Sequence, residues 1–401
     1  MKKYLTLTML YEGGRNFAGA LTIAYMLSCG LSVSDVAQLK MIQMITVVLL
    51  ELPTGMIADY YGRRFSILIS AVFGAVAFCI YSSSKTFLGF AFAEFLLGFS
   101  LSCWSGAYEA FAIDQQNLNA GKEKMSKFFF YSSSLSSAAV MICGYLGATL
   151  SVNNQILAFI LCAATLSFLS VFIFTKFTRD FGTATSIRKS IMENFQAARL
   201  DSGLMLPIIG IICINLVIIP TIYYWQPLFQ NSSGISTEIG ETIGLGSIFV
   251  LIQLVIWISG NILARTTKYL DTTSFKVLSM AILGFTVTQF LIGTLSGYRA
   301  ILFSFLLSEV FYMVWVNAHK IQINLKINSE SRASTMSVIS LFGKAGSFIS
   351  LLLISVSYKK QTQDLSFMDV QKMYVAASFF VVFFMVWFAY VSFKNKVSVK
   401  R

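Results

Sequence analysis

The sequence has little charge and few of the residues that catalytic and metal sites use. Only 12% of its 401 residues are charged, and His319 is the single histidine. No glycine loop that could hold a phosphate is present, and no nucleophile stands beside a base in a recognised setting. Six cysteines lie within or at the ends of apolar runs, without the spacing of metal ligands: Cys29, Cys79, Cys103, Cys143, Cys162 and Cys213. We therefore expect no enzyme activity, no metal and no cofactor.

The sequence is rich in apolar residues, which make up 56% of it and include 37 Phe. Runs of roughly 20 apolar residues without strict alternation predict α-helices that cross a bilayer about 30 Å thick. The net charge of +12 arises largely from short loops beside these runs, which argues against nucleic-acid binding. No small-residue cleavage site follows the first run, so we expect it to be retained. The predicted fold class is an all-α membrane protein embedded in a lipid bilayer.

The apolar runs form two groups of six. The predicted spans are residues 5–30, 36–58, 65–83, 86–113, 127–150 and 154–176, and then 203–229, 241–264, 275–295, 299–325, 334–357 and 372–393. We therefore predict an N-terminal bundle over 1–176, a cytoplasmic linker over 177–202 and a C-terminal bundle over 203–401. With the N-terminus inside, 21 of the 30 Lys and Arg lie on the inner side and 5 on the outer side. This bias predicts cytoplasmic termini.

The loop after the second span carries a distinctive motif, Gly55-Met-Ile-Ala-Asp59-Tyr-Tyr-Gly62-Arg63-Arg64. It resembles the loop between spans 2 and 3 of the major facilitator superfamily. The stretch from Ser105 to Asp114 is similar to one in bacterial drug and siderophore exporters of that superfamily. The resemblance implies twelve helices in two pseudo-symmetric six-helix bundles, in a bacterial inner membrane.

The resemblance also implies an intracellular gate. Asp59 and Arg63 would join a charge cluster that locks the two bundles in the outward-facing state, with Asp114 as the acidic partner. We assign seven residues to this gate: Gly55, Asp59, Gly62, Arg63, Arg64, Glu109 and Asp114. The alternative is that these charges only anchor the loop to lipid headgroups. The antiporter signature expected in span 5 is reduced to Cys143-Gly144-Tyr-Leu-Gly147 without its proline, so this motif does not fix the direction of transport.

Ionisable side chains within spans cost about 2.5 to 3.5 kcal/mol each on insertion scales, so they usually face a cavity or a partner. Glu12 and Arg15 lie on one face of span 1 and either pair with each other or face the central cavity. Glu94 in span 4 and Glu309 in span 10 occupy nearly equivalent places in the two halves. By the resemblance, spans 1, 4 and 10 line the central cavity. We expect these residues to couple protons or bind substrate, the alternative for each acid being a neutral carboxyl group bonded between helices.

Four further residues are candidates with open alternatives. Asn215 and Tyr223 in span 7 suit a substrate site, although aromatic residues at this depth also form interfacial belts. His319 can titrate near neutral pH, but a lone histidine in a helix is commonly structural. Lys344 either neutralises a carboxylate or extends to the inner surface.

The function predicted from these features is secondary transport driven by the proton gradient. We expect a monomer that exports a small amphipathic compound, such as a drug, an antibiotic, an antimicrobial peptide derivative or a siderophore. Proton-driven uptake of a nutrient or siderophore is the alternative within transport. A membrane-embedded enzyme or scaffold with the same fold is the alternative outside it.

Overall fold

A computed structural model shows an all-helical chain. It describes residues 2–115, 122–176, 205–232, 238–266, 275–326, 332–358, 368–380 and 382. The helices of the N-terminal half are α1 (Lys2–Arg15), α2 (Thr22–Ser28), α3 (Val33–Tyr61), α4 (Arg63–Ser83), α5 (Phe87–Gln115), α6 (Lys122–Leu150) and α7 (Ile156–Lys176). Those of the C-terminal half are α8 (Met205–Tyr223), α9 (Trp225–Ser232), α10 (Glu238–Thr266), α11 (Phe275–Thr294), α12 (Tyr298–Lys326), α13 (Arg332–Tyr358) and α14 (368–380). The predicted linker at 177–202 lies outside the described residues.

Eight helices in the described ranges are long and apolar enough to cross a membrane, and two shorter apolar segments, Gly210–Tyr223 and Leu341–Ser357, accompany them. Large apolar side chains face outward from the helices, with Phe168, Val171 and Phe174 of α7 each more than half exposed. In a water-soluble protein such a surface would be unusual, whereas lipid covers it without cost. The predicted fold class is confirmed.

Short local signals fix the turns around α3. Ser32 and Asp35 form a capping box in which the Ser32 hydroxyl accepts from the Asp35 N–H at 3.1 Å and the Asp35 carboxylate accepts from the Ser32 N–H at 2.9 Å. At the other end of α3, Gly62 adopts φ 95°, a conformation that favours glycine, and α4 begins at the next residue. We refer to the two ends of the helical bundle as the Ser32 end and the Gly62 end.

The two halves meet along two pairs of helices. The helix α3 packs along α13, and α6 packs along α10. These are the second span against the eleventh and the fifth against the eighth, so a two-fold exchange of the halves converts one pair into the other. This arrangement leaves α1, α5 and α12 free to border a space between the halves.

The first span differs from the single helix predicted, because it is interrupted between α1 and α2. Backbone groups released by the break bind side chains of neighbouring helices. Cys162 on α7 contacts the Ala18 N–H at 3.4 Å and the Arg15 carbonyl at 3.3 Å, and the Thr165 hydroxyl donates to the Gly14 carbonyl at 3.3 Å. A break inside a membrane requires such partners, since lipid offers none.

Candidate transport site

A cavity of about 370 Å³ lies between the two halves. Five helices line it, α1, α5, α6 and the C-terminal helices α10 and α12. The lining residues are Thr8, Glu12, Trp104, Tyr108, Phe128, Phe129, Ser132, Ser133, Ser136, Ser137, Val140, Ile256, Glu309, Tyr312, Met313, Val316 and Asn317. Because both halves contribute, a movement of one half against the other changes the shape of this cavity.

Two of the predicted acids, Glu12 and Glu309, face this one cavity from opposite halves. The Glu12 carboxylate pairs with the Arg15 guanidinium at 3.4 Å, and Arg15 also lies over the ring of Tyr11, 5.3 Å from its centroid. In the described part of the chain, Glu309 has neither a hydrogen bond nor an ion pair. The cavity therefore holds one carboxyl group with a built-in cation and one without.

One wall of the cavity carries hydroxyl groups. Ser132, Ser133, Ser136 and Ser137 occupy one face of α6, where the sequence reads Ser-Ser-Ser-Leu-Ser-Ser. The Ser133 hydroxyl donates to the side-chain oxygen of Asn317 at 3.0 Å and so joins α6 to α12. Our reading of the sequence missed this wall, although serines at positions i, i+1, i+4 and i+5 of an apolar helix are a detectable signal.

A second wall is aromatic. Trp104 lies between two nearly parallel rings, Tyr11 with its centroid at 3.7 Å and Tyr108 at 4.8 Å. The Tyr108 hydroxyl donates to the Tyr4 carbonyl at 3.2 Å. These contacts hold the Tyr108 ring in place at the edge of the cavity.

Glu94 does not line this cavity, contrary to our expectation for span 4. Its side chain is fully buried between helices of the N-terminal half. There it forms an ion pair with Lys40 of α3 and accepts a hydrogen bond from the Tyr81 hydroxyl of α4. The physical reason is that a lysine within span 2 supplies the partner that a deeply buried carboxylate needs.

Asn215 and Tyr223 also lie outside the cavity lining. Asn215 donates to the Ile211 carbonyl at 2.8 Å and accepts from the Ser347 hydroxyl at 3.4 Å, so it joins α8 to α13. The Tyr223 ring faces the Lys40 ammonium, 5.6 Å from the ring centroid.

The two secondary candidates lie on neighbouring helices. His319 is buried on α12 and stacks on Trp315, with ring centroids 4.7 Å apart. Lys344 is half-buried on α13. Neither belongs to the cavity lining.

The structure describes part of the predicted gate. Gly55 lies in α3, and Gly62 forms the turn before Arg63. Arg64 donates to the last carbonyls of α7, at 3.3 Å to Ile173 and 2.6 Å to Phe174, a favourable place for a cation. The side chains of Asp59, Glu109 and Asp114 lie outside the described part, so the predicted charge cluster stays a prediction.

One set of contacts between the halves lies at the Ser32 end. Gln226 of α9 is buried against the break in the first span, where its side-chain oxygen accepts from the N–H groups of Ile23 at 3.1 Å and Ala24 at 3.0 Å. Its amide nitrogen donates to the Gly19 carbonyl at 3.1 Å. Nearby, the hydroxyls of Ser34 and Ser355 are 3.2 Å apart. The cavity lies on the Gly62 side of these contacts.

No metal-binding group of three or more His, Cys, Asp or Glu residues occurs in the ranges that the structure describes. The arrangement is that of a cavity between the two halves, with the carboxyl groups of Glu12 and Glu309 in its lining.

Comparison with known proteins gives a family and a fold. The sequence profile of the Major Facilitator Superfamily matches residues 4–351. Among solved structures, the human organic anion transporter MFSD10 (TETRAN) is similar with a TM-score of 0.69 at 15% identity, over 94% of this chain and 98% of that one. The nucleoside transporter NupG gives 0.67 at 13% identity, over 97% and 98%. A variant of the E. coli fucose:proton symporter FucP gives 0.63 at 11% identity, over 96% and 98%. No curated protein matches the chain.

Proposed function

Because the chain belongs to the Major Facilitator Superfamily, we propose that it is a proton-coupled secondary transporter that exports a small amphipathic compound. The chain is a multi-pass membrane transporter and not an enzyme. Drugs, antibiotics, antimicrobial peptide derivatives and siderophores are the compound classes that suit the proposal. A monomer suffices for the proposed function, because the chain contains its own cavity.

The observation that carries the proposal is Glu309. Its carboxyl group borders a cavity between the halves and has no partner in the described part of the chain. A carboxylate without a partner inside a membrane is costly, and either a proton or a positively charged group relieves that cost. When one carboxylate accepts either a proton or a substrate, the two exclude each other, which is the basis of exchange transport.

The walls of the cavity support an amphipathic substrate. The rings of Tyr108 and Tyr312 offer apolar surface, and the α6 serines offer hydrogen-bonding groups. A compound with a flat apolar part and a polar edge satisfies both walls. Glu12 adds little net charge, because Arg15 is paired with it.

Orientation follows from the distribution of basic residues. The bias of 21 to 5 supports a cytoplasmic Gly62 end and an external Ser32 end. The cavity then lies on the cytoplasmic side of the Gln226 contacts, where an exporter collects its substrate. Rocking of the two halves would break these contacts and present the cavity to the outside. A bacterial inner membrane is the proposed location.

A growth screen tests the proposal. Cells expressing the chain are challenged with a library of toxic amphipathic compounds, and a compound whose toxicity falls on expression is a candidate substrate. Glu309→Gln should abolish the protection. Asp369→Asn is the matched control, since this acid pairs with Lys372 outside the cavity. Full protection by Glu309→Gln would contradict the proposed role of this carboxyl group.

Everted membrane vesicles decide the direction. In vesicles with an acidic interior, a compound that is exchanged for protons raises the internal pH when it is added outside. A proton symporter, the uptake alternative that the fold of FucP also accommodates, gives no such rise. If cells accumulate a candidate compound and vesicles show no rise in internal pH, the result would favour uptake and contradict export.

A further inference from the structure

The ion pair of Lys40 and Glu94 lies outside the candidate transport site and has no role in the proposed function. Both side chains are buried in the N-terminal half, with side-chain exposures of 7% and 0%. One carboxylate oxygen of Glu94 accepts hydrogen bonds from both the Lys40 ammonium and the Tyr81 hydroxyl. The other has no hydrogen-bond partner among the described residues. The pair is expensive to bury, so a purely structural role gives it little advantage over apolar residues of the same size.

The Lys40 ammonium has a second neighbour, which belongs to the opposite half. It lies over the ring of Tyr223, the last residue of α8, at 5.6 Å from the centroid. A cation at this distance from a ring is attracted to its face, and the attraction is strongest away from water. The ammonium is paired with Glu94, which also accepts a hydrogen bond from Tyr81, so the contact joins a paired cation of one half to a ring of the other.

Tyr223 is close in sequence to a set of hydrogen bonds between the halves. Gln226 follows three residues later and makes its three hydrogen bonds to the break in the first span. Between them, at residue 224, the helix is interrupted, and α9 begins at Trp225. Tyr223 therefore ends the helix that leads directly into α9 and Gln226.

We propose that Lys40 is a positioning residue for the transport cycle, which holds Tyr223 through its charge and so keeps the Ser32 end closed. Opening of this end separates the ammonium from the ring, after which Lys40 contacts Glu94 but not Tyr223. The role depends on the alternating movement of the two halves, and it does not require the proposed substrate or proton coupling.

A cysteine at Ser355 reports the opening. Ser355 is buried against Ser34 of the other half, so Ser355→Cys becomes reactive only when α3 and α13 separate. The purified full-length chain in nanodiscs is treated with a polar maleimide, and the chain without the added cysteine gives the background of the native thiols. The variants added to Ser355→Cys are Tyr223→Leu, Tyr223→Phe, Lys40→Arg and the charge-free pair Lys40→Met with Glu94→Gln. Tyr145→Leu, a tyrosine exposed on α6, is the control for loss of a ring.

We expect Tyr223→Leu and the charge-free pair to speed labelling by the same factor, between about 2-fold and about 30-fold. Combining them should add nothing further, because each removes the same contact. Tyr223→Phe, Lys40→Arg and Tyr145→Leu should label at the original rate, since ring and cation remain. The inference is overturned if Tyr223→Leu leaves the rate unchanged, if Tyr223→Phe is as fast as Tyr223→Leu, or if the two effects multiply. If the charge-free pair fails to fold, the Tyr223 variants and Lys40→Arg still test the proposed role of the contact.

Discussion

Replacing Gln226 by leucine tests whether the Ser32 end is held closed by hydrogen bonds to an interrupted helix. The N–H groups of Ile23 and Ala24 belong to the first turn of α2 and so have no partner within that helix. Gln226 provides their acceptor and binds the Gly19 carbonyl as well. Leucine has a similar volume but supplies none of these bonds.

The size of the effect follows from the number of bonds. Three hydrogen bonds at a net value of about 1 kcal/mol each give about 3 kcal/mol, or about 150-fold in the ratio of closed to open molecules. Hydrogen exchange of the peptide that contains Ile23 and Ala24 measures this ratio when closing is faster than exchange of the open form. Gln226→Leu should therefore speed exchange at these two amides by up to about 150-fold.

A matched control separates this effect from general destabilisation. Gln289 is also buried and also bonds through its side chain, at 3.0 Å to Thr221, but both residues lie in the C-terminal half. Gln289→Leu should leave exchange at Ile23 and Ala24 unchanged. Equal exchange in wild type and Gln226→Leu would refute the reasoning, as would equal acceleration by the two leucine variants.

Three further substitutions have defined outcomes. Glu12→Gln should lower the free energy of unfolding by about 1 kcal/mol or less, because the pair with Arg15 is partly exposed. In thermal unfolding, adding Arg15→Gln to this variant should restore the lost stability. A further loss of stability would show that the two side chains act separately. Gly62→Ala should lower the free energy of unfolding by about 1 to 2 kcal/mol, because the backbone at Gly62 has a φ of 95°. Gly297→Ala is the control and should leave stability nearly unchanged, because the structure has room for a Cβ there. Equal melting temperatures of the two variants would argue against strain at the turn. Gly147→Ala should lower the yield of folded protein on size-exclusion chromatography, because a Cβ there overlaps the Phe17 carbonyl, and a normal yield would show that the break in the first span can shift.

Sequence reasoning located the helices well where the signals are local. Apolar runs marked the spans, and the motif from Gly55 to Arg64 marked the loop after the second span, where the structure has a turn at Gly62. The resemblance, which lines the central cavity with spans 1, 4 and 10, led us to expect Glu12, Glu94 and Glu309 there, and the structure brings Glu12 and Glu309 to one cavity but not Glu94. Their part in transport stays a proposal.

The features that the sequence did not show depend on distant partners. The sequence did not indicate a partner for Lys40, because Glu94 lies 54 positions away on another helix. The break after α1 was hidden, since an apolar run looks the same whether the helix is continuous or interrupted. Gln226 gains its role only from that break, 202 to 207 positions earlier in the chain. No local pattern specifies such pairings.

Proton release on substrate binding tests the central claim most directly. A compound found in the growth screen is added to the purified chain in weakly buffered detergent solution that contains a pH indicator. If substrate and proton compete for Glu309, the wild-type chain releases protons on binding, and Glu309→Gln binds without releasing any. Binding to the wild-type chain without proton release, or an equal release from Glu309→Gln, would contradict the account.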